Sequence, residues 1–169
     1  MAGLPPWRND RSVSASNKHS VEKQSSQIPK IRLQYGALPY RKSKLAGVEV
    51  LLVTSRETKR WIIPKGWPIR GLSPSKSAAR EAYEEAGVRG TIRNKPIGRY
   101  VYNKMLNERT IAIPCQVRVF PLRVRRQRNT WPERQQREAR WFSAAHATEV
   151  VTESGLKDLI ASFASSRKD

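Results

Sequence analysis

Residues 66–88, GWPIRGLSPSKSAAREAYEEAGV, constrain this chain more than any other stretch. Ser73 suits a helix N-cap, Pro74 a first helical position and Gly87 a left-handed stop. These signals predict a helix over residues 74–86. At about 100° per residue, Ala78, Ala79, Ala82, Tyr83 and Ala86 form one stripe, small enough to lie close on a sheet. Glu81, Glu84 and Glu85 fall on roughly the opposite side at i, i+3 and i+4, which makes them neighbours on one patch.

Three like charges on one patch weaken a helix unless cations satisfy them. A divalent ion is the obvious supplier, because Mg²⁺ and Mn²⁺ favour carboxylate, carbonyl and water oxygens. The loop PKGWPIRG runs straight into this helix. Its backbone carbonyls can join such a site, and Lys65 and Arg70 can meet phosphate oxygens. The competing reading of E-x-x-E-E by itself is a solvated acidic face, with Arg80 as the i, i+4 partner of Glu84.

The patch stands out because the chain around it is basic. Lys and Arg number 33 against 14 Asp and Glu, a formal net charge of +19 that draws polyanions: nucleic acid, polyphosphates or anionic lipid. With 169 residues, 38% of them hydrophobic, the chain can bury one modest core. The expected organisation is a tail over residues 1–30, which includes His19, and one domain over 31–169. RSVSASNKHSVEKQSSQ has too few apolar side chains to offset the entropy of ordering it. The single cysteine, Cys115, excludes an intramolecular disulfide and suits a reducing, cytoplasmic setting. No apolar run is long enough to cross a bilayer, and MAGLPPWRND lacks a secretory apolar segment, so no membrane partner is expected.

Strands are expected in QYGALPYR, VEVLLVTS, WIIP, IGRYVYNKM, RTIAIPCQVRVF and EARWFS. A polar turn around residues 106–108 links the fourth and fifth. Pro114 argues for an edge position or a bulge in the fifth. VRRQRNTWPERQQ reads as a charged loop, and AAHATEVV and SGLKDLIASFASS as helices. Strands and helices mix without regular alternation, which predicts an α/β or α+β sandwich rather than a doubly wound sheet.

At these residues the chain resembles the Nudix hydrolases. The family signature is G-x5-E-x7-R-E-U-x-E-E-x-G-U, and Gly66, Arg80, Glu81, Glu84, Glu85, Gly87 and Val88 match it in register. Leu72 stands where the signature has its first glutamate, and Ala82 at an aliphatic position. WIIPKG, EEAGVRG and RWFS are similar to the subgroup acting on diphosphoinositol and diadenosine polyphosphates. The resemblance covers about residues 30–165. It implies an α/β/α sandwich with a mixed sheet between helices, and metal-dependent hydrolysis of a diphosphate linkage.

Carried onto this chain, the resemblance implies Mg²⁺ or Mn²⁺ on Glu81, Glu84, Glu85 and the Gly66 carbonyl, with Arg80 orienting the glutamates. Which glutamate acts as general base stays open. An extra acid often joins such sites, and Glu133 and Glu138 are the candidates. Arg32, Arg41, Lys42, Lys65, Arg70, Arg99 and Arg109 come from segments expected to rim the cleft and meet phosphate. Trp67 and Trp131 are candidates to stack on a base, while Trp61, Trp141 and Cys115 read as core residues and His146 as structural or exposed. The expected partner is a polyphosphorylated small molecule. The alternative, prompted by VRRQR at 124–128, is an RNA 5′-end pyrophosphohydrolase or a non-catalytic nucleic-acid- or nucleotide-binding protein.

Overall fold

A computed structural model describes residues 30–106 and 111–167. The tail expectation, His19, Arg109 and most of the turn at 106–108 lie outside the described residues. The elements are β1 (Arg32–Ser43), β2 (Gly47–Thr54), β3 (Trp61–Ile62), β4 (Lys65–Gly66), α1 (Pro74–Ala86), β5 (Val88–Ile92), β6 (Gly98–Leu106), β7 (Ile111–Gln127), β8 (Ala139–Ser143), α2 (Ala144–Val150) and α3 (Ser154–Ser165). One mixed sheet follows the order β3-β2-β1-β7-β5, with β4 added on β1, β6 on β7 and β8 on β2. β1 and β7 run parallel from Arg32↔Cys115 to Tyr40↔Arg123, and the other strand pairings are antiparallel.

Both faces of the sheet are covered, which explains the near-continuous apolar run in β2. Leu51 and Val53 join Ala37, Phe120 and Leu122 under α1. Val50 and Leu52 join Leu38, Val117 and Val119 on the other face, against Ala147 of α2 and Leu156, Ile160 and Phe163 of α3. The result is the expected α/β sandwich.

Helix α1 begins and ends where its caps predict. Ser73 accepts a hydrogen bond from the Lys76 N–H, Pro74 opens the helix, and Gly87 takes φ 69° as its N–H returns to the Ala82 and Tyr83 carbonyls. Ala78, Ala82 and Ala86 are fully buried. Ser75 and Ser77 are buried beside them: Ser75 donates to Asn94 at 2.7 Å, and Ser77 Oγ accepts from the Ile69 N–H at 3.3 Å. The loop before α1 is thereby pinned to its helix.

Three expectations are corrected. Residues 124–127 are strand rather than loop, because β5 pairs with the end of β7 from Val88↔Gln127 to Ile92↔Leu122. β5 itself was not anticipated. Glu85 does not stand opposite the alanine stripe but is 4% exposed within it. Seven residues are nearly two helical turns, so Glu85 lies only about 20° round the helix from Ala78. Pro114, by contrast, sits as expected: it pairs with Asn103 of β6, and β7 meets β1 only from Cys115 onward.

Candidate active site

β4 places Lys65 and Gly66 against Gly36 and Tyr35 of β1, at the flank of α1. There a cleft of about 290 Å³ opens. Its acidic side is Glu81, Glu85 and Glu133, and Gly66 lies among them. Its cations are Arg56, Arg60, Lys65, Lys104 and Arg137, and Gln34, Glu57, Trp67, Tyr102 and Glu153 are also in the wall. Carboxylates and cations thus share one cleft, with Glu57 and Glu153 standing among the basic residues.

Glu81 is half-buried with its carboxylate directly against Gly66; a Cβ at position 66 would collide with the carboxyl carbon and both oxygens. Among the described residues no hydrogen bond or ion pair engages it. Burial, with Glu84 and Glu133 nearby, raises its pKa above the ordinary carboxylate value. Glu85 is held from two sides: Arg137 donates to Oε1 at 2.7 Å, and the Lys65 backbone N–H to Oε2 at 3.3 Å. Burial pushes its pKa up, against the pull of Arg137 and Lys65.

Arg137 organises this wall. It donates to Glu85, to Glu133 Oε2 at 2.6 Å and to the Thr54 carbonyl at 3.0 Å. Trp131 clamps the same loop to α1, donating Nε1–H to the Glu85 carbonyl at 3.1 Å while its ring packs on Gly87. The Glu133 N–H bonds the Glu84 carbonyl at 3.0 Å. Glu133 is thereby brought to the cleft as an acid from outside the helix. Glu138 is exposed and paired with Arg140 at 2.6 Å, outside the cleft.

The three helix glutamates do not converge in this structure. Glu84 is drawn to Arg80, Nε–Oε1 2.5 Å, and does not line the cleft. Arg80 therefore orients Glu84 alone. Among the described residues no three His, Cys, Asp or Glu side chains stand together closely enough to hold a metal ion. The physical reason is local: Arg80 holds Glu84 and Arg137 holds Glu85, which leaves Glu81 the unengaged one of the three. The donor set still suits a hard divalent cation, since Glu81, Glu85, Glu133 and the Gly66 carbonyl offer only oxygen.

The expected phosphate-binding cations divide sharply. Lys65 lines the cleft, and burial lowers its pKa, countered by Glu85 and Glu153. Arg32 reaches the cleft wall indirectly, stacked on Trp67 with 4.4 Å from its guanidinium to the ring centroid. Lys104 lies 4.9 Å from the same ring, so Trp67 is flanked by two cations. Arg41 pairs with Glu49 and stacks on Trp141, and Lys42 lines a separate hollow beside Gly47 and α2. Arg70 and Arg99 are exposed and do not line the cleft. Leu72 lines a shallow hollow with Arg80 and Tyr83 on the outer side of α1. Sequence reasoning missed Arg56, Arg60, Lys104, Arg137 and Glu153, because among so many charged residues none carries a local signal. Trp131 is a clamp rather than a stacking platform.

A mixed sheet between helices, with a glutamate-bearing helix at a basic cleft, defines a Nudix-type domain. The chain belongs to the Nudix family: the NUDIX domain model matches residues 32–163. Relatives it resembles are named Nudix hydrolases. It is 34% identical over 133 residues to Nudix hydrolase 12, mitochondrial, of Arabidopsis thaliana, covering 70% of this chain and 66% of that protein. It is 35% identical over 106 residues to the Mus musculus diphosphoinositol polyphosphate phosphohydrolase 3-alpha, covering 61% of this chain and 60% of that protein. The chain thus spans slightly under two thirds of the length of these curated relatives. The solved C. elegans Ap4A hydrolase shares the fold, with TM-score 0.58 at 18% identity over 80% of this chain and 98% of that one. Among the described residues, no helix is long and apolar enough to cross a membrane.

Proposed function

We propose that this protein is a divalent-metal-dependent pyrophosphohydrolase that cleaves a diphosphate linkage in a highly phosphorylated small molecule, of the diadenosine or diphosphoinositol polyphosphate type. The observation that carries this reading is Glu81: a half-buried carboxylate without an ion pair among the described residues, seated against Gly66 in a cleft ringed by Arg56, Arg60, Lys65 and Lys104. A similarity of 35% identity to a diphosphoinositol polyphosphate phosphohydrolase supports the substrate class.

The residues that would hold Mg²⁺ or Mn²⁺ are Gly66 through its carbonyl, Glu81, Glu84 and Glu85, with Glu133 facing them. Such an ion neutralises phosphate charge and makes a bound water a stronger nucleophile. The chain's own contribution is positioning. Arg137 fixes Glu85 and Glu133, Glu81 is the acid available to receive a proton, and the cleft cations bind the remaining phosphates. Hydrolysis of diadenosine tetraphosphate and of a diphosphoinositol polyphosphate with Mg²⁺ tests this reading. Wild-type turnover of at least one, lost in Glu81→Gln, is expected; turnover of neither contradicts it.

A second reading, RNA as ligand, is favoured by one observation. Arg89 opposes Arg126 and Arg99 opposes Arg118 across adjacent strands, and none of the four has an acidic partner among the described residues. Opposed like charges weaken a sheet, and a phosphate backbone would relieve them. RNA affinity that falls steeply with salt would support it.

A further inference from the structure

The hollow on the outer side of α1 belongs to neither the cleft nor the core. It holds about 340 Å³ between α1 and β5, with Leu72, Lys76, Tyr83, Arg89, Gly90 and Leu122 among its walls. Leu72, where the family signature has a glutamate, is 40% exposed. An apolar side chain thus takes the place of a carboxylate, and among the described residues no acid lines the hollow. Arg89 rims it, with its guanidinium 4.3 Å from the centroid of the Tyr83 ring.

β5 borders this hollow and ends the sheet order; among the described residues only β7 pairs with it. Arg93 donates its backbone N–H to the Pro121 carbonyl, so antiparallel alternation turns the backbone groups of Gly90 and Ile92 away from β7. Arg89, Gly90 and Thr91 are exposed. An exposed edge is a template for another strand, and its charges restrict which one. Arg89 opposes Arg126, and Thr91 opposes Arg123 and accepts a hydrogen bond from Arg125 at 3.2 Å. These four arginines and Lys76 have no acidic partner among the described residues. In the sequence, Glu108 is the sole acid between residues 86 and 132. A second copy of this edge would set arginine against arginine, whereas an acidic strand is attracted to it.

We propose that the free edge of β5 and the hollow beside it form a docking surface for an extended segment of another protein, one that alternates acidic and apolar side chains. Side chains of an added strand point alternately to the two faces of the sheet. On the α1 face the apolar ones enter the hollow against Leu72. On the opposite face the acidic ones lie beside Arg123 and Arg125. The main chain pairs with Gly90 and Ile92. A nucleic acid answers the arginines, yet it offers no peptide ladder to the strand edge and no apolar side chain to Leu72.

The test is fluorescence anisotropy on the full chain with a short labelled peptide that alternates glutamate with valine. Its controls are the same peptide N-methylated at its valines, whose N–H groups face Gly90 and Ile92 in the proposed pairing, a peptide with lysine for glutamate, and a single-stranded oligouridine. Saturable micromolar binding of the acidic peptide is expected, at least about ten-fold tighter than either control peptide. Leu72→Ala should weaken the peptide about five-fold or more and leave oligouridine unchanged, while Arg89→Glu should weaken both. Both side chains are exposed, so the variants should fold, which circular dichroism checks. No binding of the acidic peptide, or binding unmoved by N-methylation or by Leu72→Ala, overturns the proposal. Tighter binding of oligouridine than of the peptide also overturns it and assigns the arginines to nucleic acid. Self-association abolished by Arg89→Glu, read by sedimentation, would assign the edge to a second copy and overturn it as well.

Discussion

Arg137 and Glu85 form the most buried ion pair of the described residues, with NH2 and Oε1 2.7 Å apart and side chains 8% and 5% exposed. Arg137 also holds Glu133, so one guanidinium ties the late loop to α1. Breaking a buried pair by removing one partner leaves an uncompensated charge. Arg137→Ala is expected to cost about 3–5 kcal/mol of unfolding free energy, read from urea denaturation. Arg140→Ala, which breaks the exposed pair with Glu138 and the long contacts of its guanidinium with the Trp61 and Phe142 rings, should move the midpoint far less.

Gly66 is required for its lack of a side chain. Gly66→Ala would force the Glu81 carboxylate away from β4, because the added methyl occupies its place. The obstacle is the far end of a flexible side chain, so the fold should survive. The expected result is near-native far-ultraviolet circular dichroism with kcat/KM reduced at least about ten-fold, or about 1.4 kcal/mol of transition-state stabilisation. Full activity in Gly66→Ala would show that Glu81 works from elsewhere.

Neutralising the helix acids separates chemistry from surface charge. Glu81→Gln and Glu85→Gln are each expected to lower kcat/KM by about a hundred-fold or more, roughly 2.7 kcal/mol. Glu84→Gln should also lose activity, because the proposed ion site needs Glu84 to exchange Arg80 for the metal. Glu138→Gln, at the surface with Arg140, should behave as wild type. Steady-state kinetics on one substrate preparation compares all four.

Cys115 is fully buried in β7, and burial raises its thiol pKa above the ordinary value of 9.0. In the native state it should resist iodoacetamide at pH 8 and react once the protein is unfolded. The sign of the linked pH effect follows. A thiol that holds its proton more tightly when folded contributes stability that declines as pH rises above 9.0. Cys115→Ser should flatten that part of the stability–pH profile. Rapid native-state alkylation at pH 8 would contradict the burial.

How much of this was legible in the sequence depends on whether the signal was local. The bounds of α1 were readable because Ser73, Pro74 and Gly87 act within a turn of where they stand. Two adjacent elements were not. β5 is a short, mostly exposed strand with apolar residues only at Val88 and Ile92, and the end of β7 is arginine-rich. Each is a strand because the other pairs with it, a relation between residues 30 to 39 positions apart. The site divides the same way. Glu81 and Gly66 carry a fixed spacing, whereas Arg137, Lys104 and Glu153 reach the cleft only through tertiary packing. The placement of Glu85 was within reach of simple helical geometry, since a seven-residue step from Ala78 returns it to the buried face.

The most direct test of the central claim is product release from diadenosine tetraphosphate and a diphosphoinositol polyphosphate by wild type and Glu81→Gln, with Mg²⁺ and again with excess EDTA. Diphosphate cleavage of at least one substrate by wild type, abolished by EDTA and reduced about a hundred-fold or more in Glu81→Gln, is the expected result. Cleavage that persists unchanged in Glu81→Gln or in EDTA, or no cleavage of either substrate, would contradict it.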